Sequence, residues 1–428
     1  MQKKGNLMAL LPIVVFLVIF IGMGIITNDF YAMPAIVGFL IALAVAFLQN
    51  KKLSFDEKFT VAAKSVGDEN IIIMCLVFLA AGAFSGAVKA AGGVTSTVNL
   101  GLSLLPPGVA VVGLFIIGCF ISISMGTSVG TITALTPIAV GISEITGFDM
   151  AICVASVASG AMFGDNLSMI SDTTIAAVRT QGCEMKDKFK ANFLIVLPAA
   201  IITVVLYFFM TMGGSYELAE ELTYNVLQVL PYILVLVGAL AGVNVFIVLI
   251  VGTVASLIVG VATGNIALME VFTVVGGGVT SMYDITVISI VVAAIVGLVK
   301  ENGGIQAIID VISAKAKGSK GGQLGIAALI SLIDMATANN TVAIVMAGPI
   351  AKEIADEYDI PATRSASLLD IFASVFQGLI PYGAQLLTAA AMSGLSPMDI
   401  IPYMFYPMLM AVSALLFICL GKSGKKIA

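Results

Sequence analysis

The strongest chemical signal in the sequence is a polar stretch, GDNLSMISDTT at residues 164–174, inside an otherwise apolar region. Its two carboxylates, Asp165 and Asp172, are the candidate groups for a coupling cation, either H⁺ or Na⁺. An unpaired polar group in hydrocarbon costs roughly several kcal/mol, so these groups must bind each other or a ligand. The alternative for Asp172 is that it caps the helix that follows, because Asp is a favoured N-cap residue. The other polar candidates in this stretch are Asn166, Ser168, Ser171, Thr173 and Thr174.

The composition indicates a membrane protein. Of the 428 residues, 60% are hydrophobic and 11% are charged, and the mean hydropathy is +1.11. These values lie outside the range of soluble globular domains. We therefore expect an all-α, multi-pass protein in a lipid bilayer, with no nucleic-acid partner. Because the sequence contains no histidine, a histidine proton relay and a histidine-containing zinc site are excluded.

Four apolar stretches are interrupted by small and polar residues, which predicts discontinuous helices. Residues 109–144 and 322–355 are interpreted as re-entrant hairpins. Residues 151–177 and 365–392 are interpreted as broken helices, and in the second of these Gly378, Pro381 and Gly383 disfavour a continuous helix.

These stretches recur in two halves, at 1–213 and 214–428. Gly86–Val94 matches Gly297–Ile305, an offset of 211 residues. Further along, the sequence pairs Met125–Thr127 with Met335–Thr337 and Pro137 with Pro349. If each half crosses the membrane about five times, the odd number inverts the second half relative to the first.

The basic residues are consistent with this inverted arrangement. With the N-terminus inside, 19 of the 20 Lys and Arg residues, Lys188 among them, fall in cytoplasmic segments, where such residues concentrate. Only Lys89 is outside, and its repeat partner Lys300 is inside. We therefore expect both termini in the cytoplasm and a bacterial-type inner (plasma) membrane location.

Hairpin tips and broken helices related by an in-plane pseudo-twofold should meet near the midplane and form a transport site. The alternatives to a binding role are close helix packing at Gly126 and Ser128, and a structural turn at Asn339–Asn340. Asp334 and Asp370 lie in apolar surroundings, and either is expected to be functional or to pair with Arg364. The tips and the second break supply the candidates Gly126, Thr127, Ser128, Asp334, Thr337, Asn339, Asn340, Thr341, Gln377, Tyr382 and Gln385.

The stretch at 164–174 resembles the G-D-x-x-S-x-x-S-D-T-T signature of the NhaC-type Na⁺/H⁺ antiporter family. The whole chain is also similar to the wider ion transporter superfamily, which includes citrate and dicarboxylate carriers. The resemblance implies secondary active transport by alternating access, with hairpins and broken helices moving against a scaffold. Two departures weaken simple Na⁺/H⁺ exchange, because Asn166 stands where the family pattern has Lys and Met169 where it has Pro.

Our leading hypothesis is a proton- or sodium-coupled transporter of a small amino-acid-like solute, with Asp165 and Asp172 binding the coupling ion or the solute amine. The alternative is Na⁺/H⁺ antiport without an organic solute. An intramembrane aspartyl protease is disfavoured because it does not explain the repeat, so we expect no enzyme activity and no cofactor. Related carriers are commonly dimers, but no stretch predicts a dimer surface.

Overall fold

The computed structural model describes residues 5–27, 33–104, 107–169, 171–212, 223–241, 243–313 and 318–420. Within these ranges the chain is helical and has no strand. The helices of the first half are α1 (Leu11–Thr27), α2 (Ala35–Leu48), α3 (Phe55–Val66), α4 (Glu69–Ala90), α5 (Gly93–Leu104), α6 (Pro107–Met125), α7 (Ser128–Thr146), α8 (Met150–Leu167), α9 (Asp172–Gln181) and α10 (Met185–Met212). Those of the second half are α11 (Val226–Leu240), α12 (Val245–Ala262), α13 (Val271–Thr280), α14 (Tyr283–Glu301), α15 (Gly304–Ser313), α16 (Gly318–Thr337), α17 (Asn340–Glu357), α18 (Ala362–Gln377), α19 (Ala384–Ser393), α20 (Pro397–Ile400) and α21 (Phe405–Leu420).

Several of these helices are long and apolar enough to cross a membrane. Among the described residues there are five, or up to seven if each of two bent helix pairs forms one span. Shorter apolar helices include Ala35–Leu48 and Phe246–Ala262. The expected all-α, multi-pass architecture is therefore confirmed. The number of crossings per half stays a prediction, as does the position of both termini, which lie outside the described residues.

The two predicted hairpins are helix pairs with two-residue connections. Gly126 and Thr127 separate α6 from α7, and Ala338 and Asn339 separate α16 from α17. The first residue of each connection has positive φ, +68° at Gly126 and +50° at Ala338. The second is an extended N-cap whose side chain accepts a backbone N–H of the following helix. We call these connections the first tip and the second tip.

The tips correct the register of the sequence comparison. Met125–Thr127 was expected to match Met335–Thr337, but the backbone aligns Gly126 with Ala338, an offset of 212 residues (338 − 126). Pro137 in α7 and Pro349 in α17 keep the same offset. The sequence match followed the Met and Thr side chains, whereas the fold preserves the left-handed residue and the N-cap after it.

The first broken helix is interrupted between the end of α8 at Leu167 and the start of α9 at Asp172, and the second is interrupted at residues 378–383. Gly164, one residue before Asp165, allows the end of α8 to approach α6 of the first hairpin closely. A Cβ atom there would lie 2.4 Å from the Ser122 Cβ and 2.5 Å from the Cys119 carbonyl oxygen of α6. Only glycine permits this approach, so α8 packs directly against α6 and brings its polar end to the hairpin.

Several contacts between the two halves are reciprocal: a helix of the first half contacts a helix of the second, and the two corresponding helices are also in contact. In chain order, α1–α9 correspond to α11–α19, and α10 corresponds to α21. α7 packs against α19, and α9 packs against α17. In the same way α4 contacts α12 and α13, while α14 contacts α2 and α3. Each half therefore completes the packing of the other, although the predicted boundary at 213/214 lies outside the described residues.

α3 is an amphipathic helix that forms one wall of a cavity described below. It begins with a reciprocal capping box, in which Ser54 Oγ accepts the Glu57 backbone N–H and the Glu57 carboxylate accepts the Ser54 N–H. These hydrogen bonds from Ser54 lower the pKa of the exposed Glu57 carboxyl. The cap fixes the start of the helix that carries Lys64 and Ser65 to the cavity.

Candidate functional site

Asp165 lies near the end of α8 and is held by hydroxyl groups. Its side chain is 4% exposed. Ser128 Oγ donates to Oδ2 at 2.8 Å, and Ser171 Oγ donates to Oδ1 at 2.6 Å. Because the Ser171 proton is used for Asp165, the 2.8 Å contact between Ser171 Oγ and Thr173 Oγ1 has Thr173 as donor. The first tip and the first break therefore meet at this carboxylate.

The second half reaches the same point through two amides. Gln385 Nε2 donates to Ser128 Oγ at 3.0 Å. Gln377 Nε2 donates to Gln385 Oε1 at 2.8 Å and to the Ala338 carbonyl of the second tip at 3.3 Å. Both tips and both breaks are thus linked by one series of hydrogen bonds. We call it the central chain, and it comprises Thr173, Ser171, Asp165, Ser128, Gln385, Gln377 and the Ala338 carbonyl.

The two halves contribute different chemistry at equivalent positions. At the offset of 212 residues, Gln377 takes the place of Asp165 and Asn340 takes the place of Ser128. Where the first half has a carboxylate and a hydroxyl, the second half thus has two amides. Gln377 Oε1 and Asn340 Nδ2 are buried without a hydrogen-bond partner. At these two positions the second half therefore offers one free acceptor and one free donor, and no charge.

A second polar cluster contains a buried ion pair that the sequence did not predict. Lys188 on α10 and Asp370 on α18 are 1% and 0% exposed and form a salt bridge. Lys188 Nζ also donates to the Asn166 carbonyl and to Thr174 Oγ1, both at 2.9 Å. Asn192, one turn further along α10, donates to Asn166 Oδ1 at 3.0 Å. Asn166 stands where the family pattern has Lys. The ammonium group of Lys188 nevertheless lies beside this position.

This cluster changes two expectations. Lys188 was counted with the cytoplasmic basic residues, but it is buried. Asp370 pairs with Lys188 and not with Arg364, whose Nε donates to Gln323 Oε1 at 2.9 Å. The spacing of Lys188 and Asn192 places both on one face of a helix, but this spacing alone did not indicate that the face is buried.

The structure separates Asp172 from Asp165. Asp172 is the first residue of α9, and its side chain is exposed. Ser171 is the N-cap, and Asp172 lies in the first turn, where a carboxylate interacts favourably with the helix dipole. The central chain therefore brings together Ser128, Asp165, Ser171, Thr173, Gln377 and Gln385, and Asp172 is not part of it.

The remaining candidates hold the tips and the interruptions in place. Ser168 Oγ donates to the Ile123 carbonyl at 2.7 Å and joins α8 to α6. The Tyr382 hydroxyl donates to the Met335 carbonyl at 2.7 Å, and Thr337 Oγ1 to the Asn339 carbonyl at 3.2 Å. The N–H of Thr341 is bonded to Asn340 Oδ1, and Thr127 and Asn339 are N-caps. Gly126 supplies the positive φ of the first tip.

A cavity of about 640 Å³ lies beside the second tip. Its wall includes Thr337, Asn339 and Tyr382. Ligand sites of this size, roughly 300–1,000 Å³, hold small organic molecules. The charged or titratable residues in its lining are Lys64, Asp68, Lys300, Glu301 and Tyr382.

Interrupted apolar helices around a buried polar site define the class of secondary transporters. Comparison with known proteins gives the family. The family model described as "Na+/H+ antiporter family" matches residues 5–212 and 222–425. The chain therefore belongs to the Na⁺/H⁺ antiporter family, as the GDNLSMISDTT stretch indicated.

Proteins similar to this chain have different substrates in their names. The chain is 23% identical to the Malate-2H(+)/Na(+)-lactate antiporter of Bacillus subtilis, with 100% of this chain and 97% of that protein covered. It is 24% identical to the Na(+)/H(+) antiporter NhaC of Alkalihalophilus pseudofirmus, with 83% of each covered. It is 25% identical to the Arginine/ornithine antiporter ArcD of Halobacterium salinarum, with 98% and 92% covered. The YdaH transporter of Alcanivorax borkumensis, a solved structure, matches with a TM-score of 0.42 at 12% identity, covering 96% of this chain and 98% of its own.

Proposed function

We propose that the protein is a cation-coupled antiporter of a small amino-acid-like solute, with Asp165 as the group that binds the coupling H⁺ or Na⁺. The observation that carries this proposal is the central chain, which connects both tips and both breaks to one carboxylate. Alternating access requires such a shared centre, because the site must respond to movement on either side.

The charges around Asp165 favour cation binding there. Lys188 neutralises Asp370, while the partners of Asp165 are the hydroxyls of Ser128 and Ser171. A carboxylate in a buried site without a basic partner is costly, so it favours a proton or a metal cation. Rotation of the two hydroxyls would turn their oxygens toward Na⁺, which prefers oxygen ligands.

The amides of the second half suit the opposite end of an amino-acid-like solute. Asn340 Nδ2 is a free donor at the start of α17, and the positive end of that helix favours a carboxylate. The amine of the solute would face Asp165. The relative named as an arginine/ornithine antiporter and the cavity of about 640 Å³ are consistent with an organic solute.

Na⁺/H⁺ antiport without an organic solute is the second candidate. It is favoured by the hydroxyl set around Asp165 and by the relatives named NhaC. In this case the carboxylate would bind Na⁺ and H⁺ alternately, and the cavity would admit hydrated ions.

The proposed cycle uses the two halves as an inverted repeat in the inner membrane, with both termini cytoplasmic, in a protein that we propose to be a homodimer. The exchanged contacts of α7 with α19 and of α9 with α17 support a pseudo-twofold relation. In the cycle, tips and broken helices move together, and the cavity beside the second tip is the access route on one side.

The function is tested with the full chain in proteoliposomes. Sodium-triggered proton movement without a solute is measured first, followed by exchange of arginine, ornithine, malate and lactate across the same vesicles. Solute exchange driven by a H⁺ or Na⁺ gradient supports the leading proposal. Sodium–proton exchange that no solute alters identifies the second candidate.

Asp165→Asn and Asp172→Asn form a matched pair for the same assay. Losing a charge-assisted hydrogen-bonded site is worth about 1.5–3 kcal/mol, so we expect Asp165→Asn to slow transport by on the order of 10- to 100-fold. Asp172→Asn, on the exposed first turn of α9, should transport like the wild type. Equal rates for Asp165→Asn and the wild type would contradict the assignment.

A further inference from the structure

The buried charges of the described helices do not balance. Three buried carboxylates, Asp165, Asp334 and Asp370, accompany the buried ammonium of Lys188. A second buried ammonium, Lys58, is bonded to the Phe47 carbonyl at the end of α2. We call Asp165, Asp334, Asp370 and Lys188 the polar core. If all four side chains are ionised, three negative charges accompany one positive charge, and two negative charges remain to be compensated.

Asp334 differs from the other two carboxylates in having no partner. Its side chain is 0% exposed, and neither oxygen has a hydrogen-bond partner. Asp165 has two hydroxyl donors and Asp370 has Lys188. An ionised carboxylate cannot be kept in this condition, because an isolated buried charge is far more costly than a neutral acid.

The groups around Asp334 do not supply a counter-charge. α16 packs against α14, α15, α17, α18 and α21. On α18, Asp370 is held by Lys188 and Arg364 by Gln323. Lys320, on α16 itself, donates to the Cys419 carbonyl. The phenol of Tyr382 donates its proton to the Met335 carbonyl. The two other cations on the packed helices, Lys300 on α14 and Lys352 on α17, are exposed. The remaining charged groups are acidic, namely Asp284 and Glu301 on α14, Asp310 on α15, and Glu353, Asp356 and Glu357 on α17.

Asp334 lies one helical turn before residues that line the cavity. Thr337, three residues further along and on the same face of α16, lines the cavity, and so does Ala338, the first residue of the second tip. Tyr382 lines it as well. The Asp334 carbonyl also accepts the Ala338 N–H at 2.7 Å, across the turn that forms the second tip. Movement of this tip would therefore open the Asp334 side chain to the water of the cavity.

We propose that Asp334 is a second coupling site, which holds a proton in this conformation and gives it to cavity water when the second tip moves. In that step the carboxylic O–H bond breaks, the proton passes to a water molecule, and the carboxylate becomes hydrated. Na⁺ does not suit this position, because a hard cation takes several oxygen ligands. This proposal rests on the proposed antiport, and it adds a proton site in the second half to the ion site at Asp165.

Infrared spectroscopy of the purified full chain in lipid bilayers at neutral pH tests whether Asp334 is protonated. The carbonyl band of a protonated carboxylic acid should appear in the wild type, persist in Asp165→Asn and lose the intensity due to Asp334 in Asp334→Asn. Asn has nearly the shape of a neutral Asp, so the variant is expected to fold, and size-exclusion chromatography checks that it does. A wild type without the band, or Asp334→Asn with the band unchanged, would overturn the proposal.

A second variant keeps the test decisive if Asp334→Asn does not fold. Tyr382→Phe removes the phenol that is bonded to the carbonyl of Met335, the residue next to Asp334, so it should shift the frequency or the pH titration of the band. An unchanged band in Tyr382→Phe would count against Asp334 as its source.

Proton movement then separates this proposal from the function. In proteoliposomes, Asp334→Asn should move fewer protons per sodium or solute than the wild type, whatever the rate. If wild-type protein transports and Asp334→Asn keeps the wild-type proton ratio, Asp334 is not a coupling site although the antiport stands. If neither protein transports while the band behaves as expected, the proton is located but the proposed function fails.

Discussion

At the scale of single residues, the Lys188–Asp370 pair determines which carboxylate is left for a ligand. Both side chains are buried, and Lys188 uses its donors on Asp370, Thr174 and the Asn166 carbonyl. The pair therefore fixes α10 to α18 and to the end of α8. With Asp370 neutralised, the unbalanced charge of the polar core lies on Asp165 and Asp334.

Lys188→Met should destabilise the protein by about 3–5 kcal/mol, because it leaves Asp370 buried without its partner. The midpoint of thermal unfolding in detergent measures the loss. Lys190→Met, on an exposed position of the same helix, is the control and should be nearly neutral. The double variant Lys188→Met/Asp370→Leu should recover most of the loss, and failure to recover it would argue against the ion pair as the cause.

Residue types in the sequence identified part of the site. Asp165, Ser171 and Gln385 were recognisable as polar groups in apolar surroundings, and they meet in the central chain. Lys188 was not recognisable, because the basic run around it has the composition of a cytoplasmic loop. α10 begins at Met185, before the apolar run at 193, and Lys188 in its first turn is buried against α18 while Lys186 and Asp187 are exposed. Burial of Lys188 depends on tertiary packing, which the local composition does not report.

At the scale of elements, the two tips have the same backbone but different residues. Gly126 occupies the left-handed conformation at φ +68°, and Ala338 occupies it at φ +50°. A side chain with a Cβ atom pays roughly 1–2 kcal/mol for this conformation. The second tip therefore carries strain that the first tip does not.

Ala338→Gly should stabilise the protein by about 1 kcal/mol, since glycine adopts positive φ without a steric cost. Gly126→Ala should cost about as much at the first tip. Ala336→Gly, two residues earlier and inside α16, is the control and should destabilise. Thermal unfolding of the three variants measures the effect, and stabilisation by Ala336→Gly as well would show that the left-handed residue is not its source.

The interruptions of the helices were predictable, while their register was not. Gly378, Pro381 and Gly383 indicated the second break, and the structure interrupts the helix at 378–383. The first break and both tips also lie inside the predicted stretches. The predicted register between the two tips was wrong because the backbone angles define the connection between two helices. Gly126 and Ala338 both have positive φ but are different residue types.

At the scale of the whole molecule, neither half is complete alone. α4 is covered by α12 and α13, and α14 is covered by α2 and α3. Likewise, the central chain takes its carboxylate from one half and its amides from the other. Separate halves would expose apolar helix faces and leave polar groups of the site without partners.

The inverted repeat predicts that Lys89 and Lys300 lie on opposite sides of the membrane. Both side chains are exposed, so single Cys replacements can be labelled with a membrane-impermeant maleimide. A Cys419→Ser background removes the exposed native thiol. Lys89→Cys should react in intact cells, and Lys300→Cys should react only after permeabilisation. Labelling of both from one side would rule out the inverted arrangement.

The central chain also has a direction. Gln377 donates to Gln385, Gln385 to Ser128, and Ser128 to Asp165, and hydrogen bonds in series strengthen one another. A cation at Asp165 makes the carboxylate a poorer acceptor, which weakens the bonds behind it as far as Gln377. The other amide hydrogen of Gln377 holds the carbonyl of Ala338, the strained residue of the second tip. In the proposed function, Asp165 would therefore report a bound cation to the opposite half, and the hydrogen bond to the Ala338 carbonyl would be the one that changes.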